Sequence, residues 1–270
     1  MSAVPVRTEV LMGTIVTIDV VRDAPGDCVD RAFAWFREIE SRCTRFDERS
    51  ELRQLSSRVG QPRSVSDILF EAVRFAIAVA HDTDGAFDPT IQSAAADDVS
   101  YRDVLVDAYA RTITVQRPLT LDLGAVAKGL AIDAAARELQ PLGDFAIDAG
   151  GDVYAAGHNA AGMKWSIGIR HPRADRELID VIRVSGMAVC SSGDYERGAH
   201  ILDGRRRTPA VGVAGATVIA VNAMLADALA TAAFVLGPQA GLALLQRHGV
   251  EGLIVTPSLE RFETANLPRA

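Results

Sequence analysis

The order of the predicted helices and strands is the feature that most constrains how this chain can fold. Apolar residues recur at helical spacing from Pro25 to about Cys43 and from Ser66 to about Asp82, and short strand patterns dominate much of the remainder. Helices and strands do not alternate strictly, which disfavours a doubly wound parallel sheet. We predict an α+β fold, in which residues 1–270 form a single domain with a mixed, mostly antiparallel sheet and packed helices.

Shorter patterns fill in the rest of the chain. A strand is predicted over residues 9–20, interrupted by Gly13, and another over 144–157, broken by a glycine pair. Three short strands are expected between residues 101 and 122. Further helices are predicted at about 126–140, 224–236 and 238–247. Further strands are predicted over 165–170, 178–184, 188–195, 216–222 and 252–256.

Charge and composition limit the classes of partner. The formal net charge is −7, with 49% hydrophobic and 23% charged residues, as in an ordinary soluble domain. A chain without an excess of Lys and Arg has little capacity to release counterions from nucleic acid, so we expect no such partner. The basic run Arg205-Arg206-Arg207 is too short to change this expectation.

The cysteines and the N-terminal sequence bear on the compartment. Cys28, Cys43 and Cys190 are widely spaced and form no CxxC pair, which favours reduced thiols over a zinc site or a disulfide framework. The N-terminal residues contain no apolar run of signal-peptide length and no cysteine that could accept a lipid. No stretch approaches the roughly 18 apolar residues that span a bilayer. For an untrimmed chain we therefore expect a cytoplasmic protein without a membrane partner.

The stretch LDLGAVAKGLAID, residues 121–133, is the first candidate for a binding site. It is typical of a strand end with Asp122, a turn with Gly124, and an Ala-rich helix whose first turn carries Lys128 and Gly129. Such a turn can bring backbone groups, a carboxylate and a lysine to one phosphorylated ligand. The same residues are compatible with an ordinary strand-to-helix connection, with Asp122 as cap and Lys128 facing solvent.

A second candidate lies on the helix predicted over residues 224–236. Asp227 and Thr231 are four residues apart and so share one face. With a nearby backbone carbonyl they would supply the oxygen ligands that suit Mg²⁺. The alternative is a carboxylate stabilised by the helix dipole and a threonine bonded to the previous turn.

Several isolated residues elsewhere could take part in chemistry, but none of them identifies a function alone. His200 follows a Ser-Ser-Gly turn, where a general base could lie beside donors that hold an anion. The run Gly150-Gly151-Asp152 indicates either close approach of a ligand to the backbone or a β-bulge. Phe46 and Phe87 lie in polar loops, where each could stack on a planar ring or anchor its loop. The sequence contains no GxGxxG, P-loop, HExxH or GxSxG pattern.

Taken together, these signals follow one order along the chain, and in that order the chain resembles the ApbE-like family of FAD:protein FMN transferases. The matching segments are MGT (12–14), FDERSEL (46–52), GAFDPTI (85–91), LDLGAVAKG (121–129), DAGGDVYAAG (148–157), SSGDYER (191–197), HILD (200–203) and ADALATAAFVLG (226–237). The resemblance implies an ApbE-like, T-fold-like domain. It also implies Mg²⁺-dependent transfer of the FMN half of FAD to a Thr or Ser hydroxyl of an acceptor flavoprotein, with release of AMP.

Residue roles follow from the same resemblance. Asp122 and Lys128 are implied to hold the FAD, and the other residues implied to lie against it are Met12, Phe46, Ala86, Phe87, Asp88, Ile201 and Ala230. The carbonyl of Ala125 and the side chains of Asp227 and Thr231 are implied to meet the metal. His200 is expected near the reacting phosphate as general base, with Asp227 and Asp203 as competitors.

Some positions depart from the family pattern, and alternatives stay open. The chain reads HILDGRRRTP where the family usually has HIIDPxTGxP, and SSG in place of TSG. The three arginines could grip phosphates or an acidic partner, or form a solvated loop. The same site could hydrolyse FAD to FMN and AMP, or the chain could be a flavin-binding or carrier protein without turnover. Mn²⁺ accepts similar oxygen ligands to Mg²⁺.

Overall fold

The computed structural model of the chain describes residues 6–22, 26–94, 98–174, 176–194 and 200–269. Within these ranges the α-helices are α1 (Gly26–Cys43), α2 (Glu51–Ser56), α3 (Asp67–Asp82), α4 (Gly124–Leu139), α5 (Ala223–Leu236) and α6 (Pro238–Arg247). The strands are β1 (Arg7–Leu11), β2 (Thr14–Val20), β3 (Arg63–Ser64), β4 (Val104–Asp107), β5 (Thr112–Val115), β6 (Phe145–Ala149), β7 (Asp152–Ala156), β8 (Trp165–Arg170), β9 (Leu178–Val184), β10 (Met187–Gly193), β11 (Leu202–Asp203), β12 (Thr208–Pro209), β13 (Gly215–Ala220), β14 (Glu251–Val255) and β15 (Arg261–Glu263).

A large antiparallel sheet forms the centre of the fold. Its strands, counted over the described ranges, are eight in the order β1-β2-β6-β7-β10-β13-β14-β15, and each neighbouring pair is antiparallel. Helices α1, α4, α5 and α6 pack against this sheet and against each other, and enclose the main apolar core. The hairpin β8–β9 helps to enclose a smaller apolar cluster with Val153, Val189 and Ile219 of the sheet. The predicted α+β class with a mostly antiparallel sheet is therefore confirmed.

The long helices arise where the sequence provides an apolar face and a cap. In α1, the residues Phe33, Phe36 and Ile39 are buried on one face, as their spacing predicts. In α3, the side chain of Ser66 accepts the Leu69 N–H and so caps the helix at its predicted start. Within the described part of the chain, no helix is both long enough and apolar enough to cross a bilayer.

Two of the predicted strands are in fact hairpins. Residues 9–20 fold back at Met12-Gly13, where both residues have positive φ, of 53° and 71°. Residues 144–157 fold back at Gly150-Gly151, with φ of 67° and 95°. Two consecutive residues with positive φ match a two-residue hairpin turn. The glycine pair therefore reverses the chain direction and is not a bulge.

The stretch at residues 121–133 also differs from its prediction. Leu121, Asp122 and Leu123 form no strand, and α4 already begins at Gly124. Lys128 is consequently in the second helical turn. Of the three strands expected over 101–122, only β4 and β5 are present in this fully described region, and residues 101–103 form a 3₁₀ turn. The pattern did not predict α2, β3, β11, β12 or β15, which are all short.

Helices α4 and α5 approach each other closely through two residues of α4. A Cβ on Gly129 would lie 2.5 Å from the carbonyl oxygen of Ala223 and from Cα of Met224. The carboxylate of Asp133 accepts the N–H groups of Ala223 at 2.6 Å and of Met224 at 3.0 Å, at the start of α5. Burial raises the pKa of Asp133, against the lowering effect of these two hydrogen bonds. The arrangement fixes the position of α5 relative to α4.

Candidate functional site

A cavity of about 890 Å³ opens between the start of α4, helix α5 and the surrounding loops. Its volume lies within the range of about 300–1,000 Å³ for small-molecule and cofactor sites. The residues that line it include Met12, Phe46, Ala86, Phe87, Asp88, Asp122, Ala125, Lys128, His200, Ile201, Asp227 and Thr231. These residues are spread along the chain from Met12 to Thr231, so the fold gathers nearly all the residues that the sequence singled out.

One wall of the cavity is made where two hairpin turns meet. Gly150 donates its N–H to the carbonyl of Ile15 at 3.0 Å. A Cβ on Gly150 would lie 2.2 Å from Oγ1 of Thr14, so only glycine fits there without a shift. The β6–β7 turn therefore lies against the β1–β2 turn, and Met12 and Gly150 both face the cavity.

A lysine between two carboxylates dominates the charge of the cavity. The ammonium of Lys128 contacts Oδ2 of Asp152 and lies 3.2 Å from Oδ2 of Asp227. Both carboxylate side chains are buried, at 4% and 6% exposure, and Lys128 is 25% exposed. Buried carboxylates need a cationic partner or strong hydrogen bonds to remain charged. Lys128 supplies that partner, and its side chain lines the cavity.

The predicted metal ligands also face the cavity together. Within the described ranges, no group of three or more His, Cys, Asp and Glu side chains is arranged to hold a metal ion. The predicted ligands are of mixed type: Ala125 in the first turn of α4, and Asp227 and Thr231 one turn apart on α5. The hydroxyl of Thr231 is 3.0 Å from Oγ of Ser192.

The donor chemistry of these residues fits a hard divalent cation. Carboxylate, hydroxyl and carbonyl oxygens are the ligand types that Mg²⁺ accepts in proteins. The ammonium beside Asp227 shows in addition that this carboxylate lies where a positive charge is stabilised. The residues present are therefore compatible with Mg²⁺.

The start of α4 forms the neighbouring part of the wall. Oδ1 of Asp122 accepts the N–H of Gly124 at 2.9 Å, and Oδ2 is 3.2 Å from Nε of Arg45. The guanidinium of Arg45 lies over the ring of Phe46, 4.3 Å from the ring centroid. Phe46 is nevertheless 82% exposed, at the edge of the cavity. This places an aromatic face within reach of a ligand but not in the core.

The loop at residues 85–91 provides the opposite side. Both oxygens of Asp88 are engaged within the protein, by the N–H and hydroxyl of Thr90 at 2.8 and 2.7 Å and by the N–H of Tyr101 at 3.1 Å. Gly204 donates its N–H to the carbonyl of Ala86 at 3.0 Å, which docks the β11–β12 hairpin on this loop. Asp88 therefore shapes the cavity as a loop anchor as well as lining it.

His200 and Ile201 reach the cavity from the segment before β11. Asp203, which the sequence suggested as a competing base, is buried and bound by Arg205 through Nε at 3.0 Å and Nη2 at 2.9 Å. Burial acts to raise the pKa of Asp203, but the Arg205 guanidinium outweighs it and holds the pKa below its usual range. Asp203 is not among the cavity-lining residues. Residues 195–197 of the SSGDYER segment lie outside the described residues.

The arginine run has mainly internal partners. Arg205 pairs with Asp203, and Arg207 donates to the carbonyls of Val99 at 3.3 Å and Ile91 at 3.2 Å, and to that of Ser93. Two of the three arginines thus hold the loops beside the cavity in place. This favours a structural function for them over the phosphate grip and the solvated loop considered from the sequence.

The architecture and the cavity have counterparts in proteins of known family. A sequence model of the ApbE family matches residues 12–97 and 91–254 of this chain. The chain belongs to the ApbE family. This confirms the resemblance that the ordered motifs indicated.

Individual ApbE relatives are similar over most of the chain. The FAD:protein FMN transferase of Treponema pallidum is 27% identical over 304 residues, covering 93% of this chain and 84% of that protein. The FAD:protein FMN transferase of Vibrio cholerae is 28% identical over 262 residues, which cover 84% of this chain and 78% of that protein. The crystal structure of the ApbE protein from Thermotoga maritima superposes with a TM-score of 0.87 at 27% identity. The superposition covers 98% of this chain and 99% of that one. The flavin transferase ApbE structure from Vibrio cholerae, at 23% identity, also has a TM-score of 0.87 and supports the fold.

One residue predicted from the ApbE resemblance lies elsewhere. Ala230 is fully buried and is not among the residues that line the cavity. It lies between Asp227 and Thr231 in sequence, but its side chain packs in the main apolar core. The structure therefore does not bring the Ala230 side chain into the ApbE cavity with its two neighbours.

Several residues of the ApbE cavity were not assigned a role from the sequence, and three of them contact residues that were. Asp152 contacts Lys128, Ser192 contacts Thr231, and Arg45 pairs with Asp122. Asp152 had a usable signal, since it is a charged residue in an otherwise apolar strand beside a glycine pair, and Ser192 belongs to the predicted Ser-Ser-Gly turn. Cys43 also lines the cavity, and burial raises the pKa of its thiol to about 12, so it remains protonated and unreactive.

Proposed function

We propose that the protein is an FAD:protein FMN transferase that moves the FMN half of FAD to a Thr or Ser hydroxyl of an acceptor protein and releases AMP. The observation that carries the proposal is the Lys128 ammonium, held between buried Asp152 and Asp227 at the start of a helix and facing an 890 Å³ cavity. Membership of the ApbE family and the names of the similar relatives support the same reaction class.

The charge of FAD explains why these residue types would be required. The pyrophosphate carries concentrated negative charge, which Lys128 and the N-terminal end of α4 can stabilise. Ala125, Asp227 and Thr231 would hold a divalent cation, which when bound supplies further neutralisation of the phosphates. Leu123 at the N-cap makes no side-chain cap hydrogen bond, and the first turn of α4 contains no acidic side chain. The Asp122 carboxylate already accepts the Gly124 N–H at this end of the helix, so the start of α4 can stabilise a phosphate only together with Lys128 and the proposed cation.

The transfer step requires a weak nucleophile to be activated. The acceptor hydroxyl oxygen attacks the phosphorus on the flavin side, a new P–O bond forms, and the bond to the bridging oxygen breaks. AMP leaves with that oxygen, and the hydroxyl proton passes to a base. His200 is our candidate for this base because it faces the cavity, whereas Asp203 is bound by Arg205.

The flavin itself needs a flat apolar contact. Phe46, Phe87 and Met12 line the cavity, and Phe46 presents an exposed ring backed by the Arg45 guanidinium. Stacking on such a ring would orient the isoalloxazine system and leave the pyrophosphate near Lys128. We propose that Asp122 contributes to the same nucleotide contact, together with Ala86, Asp88 and Ile201.

Incubation of the purified protein with FAD, MgCl₂ and a flavoprotein acceptor tests the proposal. Covalent flavin fluorescence on the acceptor after denaturing electrophoresis is the expected result, and it must be lost when the acceptor hydroxyl residue is replaced by Ala. Formation of FMN and AMP at an equal rate without acceptor would instead indicate an FAD hydrolase. Bound FAD without either product would overturn both catalytic functions and leave a flavin-binding protein.

A further inference from the structure

Asp152 is the one acidic residue of the cavity whose two oxygens are divided between the sheet and Lys128. Oδ1 accepts the N–H of Ser191 on β10 at 2.9 Å, and Oδ2 contacts the Lys128 ammonium. The side chain is only 4% exposed and belongs to the first residue of β7, directly after the Gly150-Gly151 turn. Its position is therefore set by the central sheet and not by the helices that carry Lys128 and Asp227.

This placement matters because Lys128 has a choice of partner. Its ammonium lies 3.2 Å from Asp227, which is a proposed metal ligand. An ammonium and a divalent cation compete for the same carboxylate, because each repels the other and so lowers the other's binding free energy. A lysine bound only to Asp227 would hold back the carboxylate that the cation needs. A second carboxylate that keeps the ammonium to one side removes part of this competition.

We propose that Asp152 is a positioning residue that retains the Lys128 ammonium on the β7 side and so leaves Asp227 available to a divalent cation. The inference rests on the proposed function, because it assumes that Asp227 binds the cation. It assigns Asp152 no contact with FAD or with the metal. Its effect on the reaction is transmitted entirely through Lys128.

The substitution Asp152→Asn isolates the charge from the shape. The Asn carbonyl can still accept the Ser191 N–H, but Asp227 is then the only carboxylate partner of Lys128 among the described residues. We expect the Kd for Mg²⁺ to rise about tenfold. A change of this size lies within the range of interaction free energies measured between contacting groups. In Asp152→Asn/Lys128→Met the competing ammonium is gone, so the Kd should return to within about threefold of the original value.

Isothermal titration of MgCl₂ into the full chain without FAD or acceptor measures these constants directly, independently of turnover. Asp148→Asn is the matched control. It removes an exposed carboxylate from the same β6–β7 hairpin, where Asp148 accepts the Gly151 N–H at 2.8 Å and does not line the cavity. Its Mg²⁺ affinity should be unchanged. Thermal melting of each variant shows whether it is folded.

The outcomes distinguish the positioning role of Asp152 from the metal site itself. Weak binding by Asp152→Asn that the double variant restores supports the positioning role. Unchanged binding by Asp152→Asn, or a double variant as weak as the single one, overturns it and leaves the flavin-transfer proposal intact. If Asp152→Asn does not fold, Lys128→Met alone decides, since binding weaker than in the original chain would contradict competition. Failure of the unsubstituted chain to bind Mg²⁺ would overturn the metal site itself.

Discussion

At the residue scale, the carboxylates of the cavity differ in how much of their capacity the protein already uses. Asp88 is occupied by Thr90 and Tyr101, and Asp122 by the Gly124 N–H and Arg45. Asp227 pairs with the Lys128 ammonium at 3.2 Å. A carboxylate with spare acceptor capacity beside a hydroxyl is the better metal ligand. This difference favours Asp227 over Asp88 and Asp122 as the metal ligand.

Replacing Asp227 by Ala should abolish Mg²⁺-dependent turnover, because it removes the anionic ligand of the proposed metal site. The measurement is the rate of flavin transfer to the acceptor as a function of MgCl₂ concentration. Asp148→Ala, at an exposed position outside the cavity, should retain the original Mg²⁺ dependence. Activity that survives in Asp227→Ala with the same Mg²⁺ dependence would remove Asp227 from the metal site.

Replacing His200 by Ala should slow the chemical step more than it weakens FAD binding. Loss of a general base typically slows the reaction by about 10²–10⁴-fold. Loss of a residue that only contacts the substrate should instead affect the affinity as much as the rate. Single-turnover transfer rates and the Kd for FAD, measured by flavin fluorescence, separate the two effects. Equal losses in rate and in affinity would count against His200 as the base.

At the element scale, the site depends on how α4 and α5 are held against each other. Lys128 belongs to α4 and Asp227 to α5, so their distance is set by the packing of the two helices. Gly129 allows the close approach, and Asp133 binds the first N–H groups of α5. Both residues lie within the next turn or two of α4 after Lys128, which couples the scaffold directly to the charge pair.

Gly129→Ala should separate these helices and reduce both stability and activity. The added Cβ would lie 2.5 Å from backbone atoms of Ala223 and Met224, which cannot move as a side chain could. We expect a loss of about 1–3 kcal/mol in the free energy of unfolding from overpacking, in spite of the better helix propensity of Ala. Urea denaturation measures this loss.

The exposed Arg137 of the same helix provides the control, and Arg137→Ala should change stability by less than about 0.5 kcal/mol. A Gly129→Ala variant as stable and as active as the original chain would show that the α4–α5 contact is not tight in solution.

At the scale of the whole molecule, contacts distant in sequence connect the first and last parts of the chain. Asp82, at the end of α3, lies against Nε2 of His248 and accepts a 3.2 Å hydrogen bond from Arg247, both near the end of α6. Burial acts to raise the pKa of Asp82, but His248 and Arg247 outweigh it, so the pKa is held below its usual value. The pair links helices separated by about 160 residues.

This link predicts a pH-dependent contribution to stability. Because the folded-state pKa of Asp82 is lowered, its contribution is fully present above the unfolded-state value of about 3.9 and is lost as the pH falls through the folded-state pKa. Asp82→Asn should therefore lower the Tm at pH 7, and its Tm difference from the original chain should shrink when the pH is brought below the unfolded-state value. An equal Tm decrease at both pH values would indicate lost packing and not a lost ion pair.

The sequence by itself determined where the long helices lie, the fold class and most of the cavity residues. Periodicity located the amphipathic helices because burial of one helix face requires it, as Phe33, Phe36 and Ile39 of α1 show. Ordered motifs located most of the cavity residues, since the chemistry of a phosphorylated ligand restricts the residue types that can bind it. The fold class followed from the order of the elements.

The tertiary structure decided how these residues are paired. The Lys128 contact with Asp152 depends on the register of β7 against β10, and the burial of Ala230 depends on how α5 packs in the core. A list of motifs contains neither. Whether Gly150-Gly151 made a bulge or a turn depended on the strand pairing that followed it. Pairing between distant segments is a property of packing, because burial and electrostatic energies arise only when the chain brings those groups together.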